Sequence, residues 1–128
     1  MNAGDTLLVA EPGTSYDSHL WIVVSDPSSD PDHVVMVNMT SFRTDKDQAC
    51  VIHVGDHPYV THDTCINYED AKVVTVPQIE LLRTSGKVVS FAPCSSSLLQ
   101  RIRDAVPDSR MKLGVVSILV DQSVIEDI

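Results

Sequence analysis

No apolar run in this 128-residue sequence approaches the ~18–20 residues that a membrane-spanning helix requires. The longest, Leu20-Trp21-Ile22-Val23-Val24, has five. The start, MNAGDTLL, has no basic segment leading into a long apolar stretch, so no secretory signal is expected. Cysteine is scarce: three residues, an odd number without the spacing of a disulfide framework, favour a reduced, cytoplasmic protein. Neither a CxxC pair nor a helical HxxxH pair is present. Basic side chains are nearly missing from the first 71 residues, which hold only Arg43 and Lys46 against twelve acidic groups. A nucleic-acid binder ordinarily carries a basic face, and only residues 72–112, with a net charge of +4, offer one. Residues 5–54 contain no amphipathic stretch that would serve as a crossover helix, which disfavours a doubly wound parallel sheet.

What is present suits one modest globular domain: 43% hydrophobic and 21% charged residues, with a net charge of −9. Short, β-branched apolar runs recur at Asp5–Ala10, Leu20–Ser25, Val34–Met39, Ala49–Val54, Ala71–Val76 and Val88–Phe91, and each reads as a strand. The second and third are apolar at consecutive positions, the pattern of strands covered on both faces. Residues 11–18 and the Asp26–Asp32 segment, with Pro27 and Pro31, read as loops. Pro77 suits the first turn of a helix that Gly86 stops, and Ser95 is a candidate N-cap for Ser96–Val106. Leu98, Leu99, Ile102, Ala105 and Val106 form one apolar face of that helix. The expected fold is therefore mainly β, a small barrel with one or two short helices, the clearest at residues 95–106. The expected domain spans residues 1–112, and 113–128 remains an acidic and apolar tail whose run Val115–Val120 reads as a strand without a place in the barrel.

The stretch from Cys50 to Ala71 differs from the rest. It holds His53, His57 and His62, three of the five histidines, and two of the three cysteines, with no continuous apolar run. Titratable residues on a connection held by a rigid framework are the usual carriers of chemistry.

Gly4-Asp5 opening the first strand, Val23-Val24-Ser25 closing the second and Val37-Asn38-Met39-Thr40-Ser41 closing the third make a pattern. With Gly86-Lys87-Val88 and the helix bearing Leu98, Leu99 and Ile102, this order over residues 4–106 resembles the MazF/PemK family. These are the ribosome-independent RNA-cleaving toxins of toxin–antitoxin pairs. The resemblance implies an SH3-like barrel, cleavage of single-stranded RNA, an antitoxin protein as partner and a homodimer. It also implies that the start of the second strand meets the Thr40–Ser41 end of the third. One departure stands out: the family has an arginine at that start, and His19 takes its position here. Arginine is permanently charged and grips phosphate bidentately, whereas histidine titrates near neutrality, so the chemistry cannot be identical.

RNA cleavage through the 2′-hydroxyl needs a base, an acid and donors for charge developing on phosphorus. His19, His57 and His62 are the candidate acid and base groups, with Thr40 and Ser41 as phosphate donors. Arg43 is the neighbouring cation and Tyr59 a candidate stacking platform for a base. Plainer roles compete. His19 could cap a strand edge, and Thr40 and Ser41 could serve a turn. His57 and His62 lie in ordinary loop sequence, while His53 reads as part of a strand. A metal site built on His57, His62 and Asp56 or Asp63 is a sharper alternative, but Cys50 and His53 fall on opposite faces of a regular strand. The expectation is therefore metal-independent histidine chemistry with no cofactor. A non-enzymatic module that binds a protein target is the competing reading.

Overall fold

A computed structural model describes residues 1–9 and 19–126 of the chain; the loop expected at 11–18 and the last two residues of the acidic tail lie outside the described residues. Six strands form one antiparallel sheet: β1 (Thr6–Val9), β2 (Leu20–Val23), β3 (His33–Ser41), β4 (Val51–Ile52), β5 (Thr64–Thr75) and β6 (Val88–Phe91). Their order across the sheet is β4-β5-β3-β2-β1-β6. Three short helices complete the described fold: α1 (Val76–Thr84), α2 (Ser96–Asp104) and α3 (Leu113–Asp121). The protein is mainly β, and the sheet curls into a half-barrel. The curl brings its two edges together, since the connection after β4 bonds to the chain just after β6 through His57 and Ala92.

The doubly apolar strands are covered on both faces, as their composition requires. Leu20, Ile22, Val35, Val37, Met39, Ile52, Ile66 and Tyr68 form the main core. Leu98 and Ile102 of α2 close it, and beyond α2 so do Val106, Met111, Val116 and Leu119. The alternate residues Leu7, Val23, Val34 and Met36 meet Ile79 of α1 and Val88 in a smaller cluster on the opposite face. Each helix start is set by local chemistry. The Thr75 hydroxyl accepts the Gln78 amide while the Gln78 side chain accepts the Thr75 amide, a capping box with Pro77 in the first turn. Gly86, at φ +78°, ends the α1 turn in a conformation that any other side chain would resist. The Ser95 hydroxyl caps α2 by accepting the Leu98 amide.

Two sequence expectations are corrected. Residues 55–71 are not all connection: β5 begins at Thr64, and Cys65, Ile66 and Tyr68 are fully buried. Its strand signal is obscured by a bulge, because β5 takes five steps from Asn67 to Lys72 while β3 takes two from Asn38 to Met36. The extra residues let Tyr68 turn into the core and donate to the Ile102 carbonyl at 2.7 Å. Asp70 reaches across to accept the Asn38 amide at 2.9 Å. Val115–Val120 is not a strand either. It is the body of α3, whose Val116 and Leu119 enter the main core. A run apolar at almost every position carries no clear period, and burial of one helical side decided the outcome.

Cys65 is fully buried, Cys50 nearly so and Cys94 partly buried. Burial raises the pKa of each, and pushes Cys94 up to about 11. At pH 8 the Cys94 thiol is ionised roughly two orders of magnitude less than a free cysteine of pKa about 8.5, and Cys50 and Cys65 are shielded by their burial. Iodoacetamide is therefore expected to leave the native protein almost unlabelled and to modify all three cysteines after unfolding, as mass spectrometry would read. Rapid native labelling of any one would contradict the burial described.

Candidate functional site

Antiparallel pairing of β2 with β3 sets Trp21 opposite Asn38. Continued by two residues, that register places His19, just before β2, opposite Thr40. Pairing of β3 with β5 sets Thr40 opposite Cys65 and Ser41 opposite Thr64. The chain entering β5 through Thr61, His62 and Asp63 therefore arrives beside Ser41. The Phe42 amide donates to the Asp63 carbonyl at 3.0 Å and pins this end of the sheet.

The result is a pocket of about 260 Å³ lined by His19, Met39, Thr40, Ser41, Tyr59, Thr61, His62 and Thr64. Ser41 Oγ and His62 Nε2 are 2.9 Å apart, and His62 Nδ1 lies 3.2 Å from Thr61 Oγ1. In one tautomer the Ser41 hydroxyl donates to Nε2 while Nδ1–H donates to Thr61, leaving Nε2 as the basic nitrogen. His19 is half-buried, and its Nδ1 is sealed from water with no hydrogen-bond partner among the described residues. Burial raises the Tyr59 phenol above its ordinary pKa, so it stays neutral. Among the described lining residues there is no lysine or arginine, so the only groups that can bring positive charge are the two histidines.

The expected site residues therefore separate. His19, Thr40, Ser41, Tyr59 and His62 come together in the pocket, and His57 and Arg43 do not. His57 is 4% exposed, with Nε2 2.7 Å from the Ala92 carbonyl. The sequence placed it beside His62 because they are five residues apart, but the chain turns between them. Arg43 is exposed, and its Nε pairs with Asp45 at 3.4 Å outside the pocket lining. Its place just after β3 points it to solvent and to its own turn. His53, expected within a strand, follows the two-residue β4 as an exposed side chain paired through Nδ1 with Asp63 at 2.9 Å. Thr61 and Thr64 were not singled out from the sequence. The signal was their position flanking His62 in Thr61-His62-Asp63-Thr64, where hydroxyls can orient an imidazole. Among the described residues, no three His, Cys, Asp or Glu side chains stand close enough together to hold a metal ion.

On the other face, α1 and the sheet leave an open apolar groove of about 450 Å³ lined by residues such as Leu7, Trp21, Met36, Ile79 and Leu82. Leu81, also in its lining, is 71% exposed.

Fold and site define the chain as a mainly-β half-barrel carrying a histidine and hydroxyl pocket at one end of its sheet. Compared with known proteins, it matches no family model, no curated protein and no solved structure. Among the described residues, no helix is long and apolar enough to cross a membrane.

Proposed function

We propose that the pocket cleaves single-stranded RNA by metal-independent acid–base chemistry, with His62 as base and His19 as acid. The observation that carries this reading is the convergence of two histidines on one pocket, with Ser41 holding His62 Nε2 at 2.9 Å. His62 Nε2 takes the proton of a ribose 2′-hydroxyl, whose oxygen bonds to the adjacent phosphorus. The bond from phosphorus to the 5′-oxygen breaks, and His19 returns a proton to that oxygen. The products are a 2′,3′-cyclic phosphate and a 5′-hydroxyl. On substrate binding the Ser41 hydroxyl turns from Nε2 to a phosphate oxygen beside Thr40, which frees the Nε2 lone pair for the 2′-hydroxyl proton, and Tyr59 stacks on a base. Histidines suit both roles because they exchange protons near neutrality without strong tuning. The resemblance to the MazF/PemK toxins supports the same reading, and with it a cytoplasmic location, a homodimer and an antitoxin partner.

A second reading has its own support. The apolar groove beneath α1 and the acidic first half of the chain suit a non-enzymatic module that poisons or regulates a protein target.

One experiment separates the two readings: incubation of the purified protein with long single-stranded RNAs, with and without EDTA. Cleavage that survives EDTA and leaves 2′,3′-cyclic phosphate ends is the expected result. Cleavage lost in EDTA would overturn the metal-independent mechanism. Intact RNA with folded protein, across several sequences, would leave the binding module.

A further inference from the structure

His57 has both ring nitrogens engaged by different parts of the chain. The Tyr59 amide lies 3.1 Å from Nδ1, and an amide N–H can only donate, so Nδ1 is the unprotonated nitrogen. The ring proton is then on Nε2, which donates to the Ala92 carbonyl at 2.7 Å. The same carbonyl accepts the Thr6 hydroxyl at 2.8 Å. The imidazole also lies against Phe91, with ring centroids 5.9 Å apart. Packing alone would need only a ring of the right shape. Here the ring's two polar atoms fix its tautomer and join the start of the 57–62 segment to the end of β6.

That segment supplies one wall of the pocket. Tyr59, Thr61 and His62 line it, while Val60 between them is buried in the main core. The Val60 amide donates to the His57 carbonyl at 3.0 Å, so the turn that leads to His62 begins on His57 itself. We propose that His57 is a positioning residue for this pocket. By accepting from Tyr59 and donating to Ala92, it sets where Tyr59 and the His62 imidazole stand relative to His19 and Ser41. The inference rests on the ribonuclease reading for its activity readout alone.

The two bonds can be tested separately, because asparagine and glutamine each imitate one nitrogen. In His57→Asn the side-chain oxygen falls near Nδ1 and can still accept from Tyr59, but the amide does not reach Ala92. In His57→Gln the terminal amide falls near Nε2 and can still donate to Ala92, but no acceptor remains for Tyr59. Thr6→Val is the control, since it removes a hydrogen bond from the same carbonyl without touching His57.

The readouts are the imidazole NMR signals of His62, RNA cleavage and the thermal midpoint. Both His57 variants are expected to shift the His62 signals and to lower kcat about 10- to 100-fold at nearly unchanged KM, as a small misplacement of a reacting group does. Thr6→Val is expected to lower the midpoint while leaving the His62 signals in place. Unchanged His62 signals in folded His57→Asn and His57→Gln would overturn the proposal. Loss of folding in both would also overturn it, by making His57 a support of the whole sheet. If the unmodified protein cleaves no RNA, the His62 signals still decide the positioning role, so the two failures remain distinct.

Discussion

Replacement of His62 by alanine is expected to lower RNA cleavage by roughly 10²–10⁴-fold, the usual contribution of a positioned acid or base. The thermal midpoint should barely move. His62 is exposed, and its side-chain hydrogen bonds go to Ser41 and Thr61, both also exposed. Surface substitutions of this kind stay within about 0.5 kcal/mol. His62→Gln sharpens the test, because glutamine can keep a hydrogen bond to Ser41 but cannot carry the proton. Equal loss in both variants assigns the effect to proton transfer. Near-normal cleavage by His62→Gln would instead make His62 a structural hydrogen-bond partner and remove it from the mechanism. Single-turnover rates on one RNA, with midpoints from the same preparations, decide between these outcomes.

The second large effect concerns stability. Leu119→Ala is expected to cost about 2–5 kcal/mol, the range for emptying a fully buried leucine site. Leu119 has no exposed surface and belongs to the main core together with residues of α2 and the sheet. For a chain of this size that corresponds to a fall of roughly 7–19 °C in the midpoint. Ending the chain after Lys112 removes the buried Val116 as well as Leu119. At about 1.5–3 kcal/mol for each buried side chain the loss is about 3–6 kcal/mol, which reaches the lower end of the total stability of most domains, about 5–15 kcal/mol. The shortened protein should unfold or become molten. Ser117→Ala on the exposed side of α3, where the hydroxyl only returns to the Leu113 carbonyl, should leave the midpoint nearly unchanged. Thermal denaturation of the three variants is sufficient, and a Leu119→Ala midpoint equal to that of Ser117→Ala would mean that α3 does not dock.

Much of the barrel is legible in the linear pattern, and the reasons are local. Leu20–Val24 and Val34–Val37 are short, β-branched and apolar at consecutive positions between turn residues, the pattern of a strand covered on both faces. The helix starts at Thr75 and Ser95 carry hydroxyls that cap, followed by proline in one case and an apolar face in the other. The meeting of His19 with Thr40 and Ser41 follows from antiparallel register once β2 and β3 are paired. Each of these rests on interactions within a few residues or on one strand pairing.

Only the tertiary structure decided the rest, because it depended on contacts between residues far apart in the chain. His57 and His62 look equivalent in sequence, yet the Ala92 carbonyl, 35 residues away, holds one as a clasp while Ser41 draws the other to the pocket. Arg43 follows the pocket strand by two residues and is lost to solvent through its pairing with Asp45. The bulge in β5 has no local mark, since it answers the need to bury Tyr68 against α2. The run at 115–120 has no period to choose helix over strand, and burial of Val116 and Leu119 in the main core goes with a helix. Composition and spacing by themselves determined the β framework and its two-sided burial, while the meeting of His19 with Thr40 and Ser41 is expected only from the family resemblance. Which further histidine joins them, and what completes the core, was decided by long-range packing, where a buried polar atom must find a partner wherever the fold supplies one.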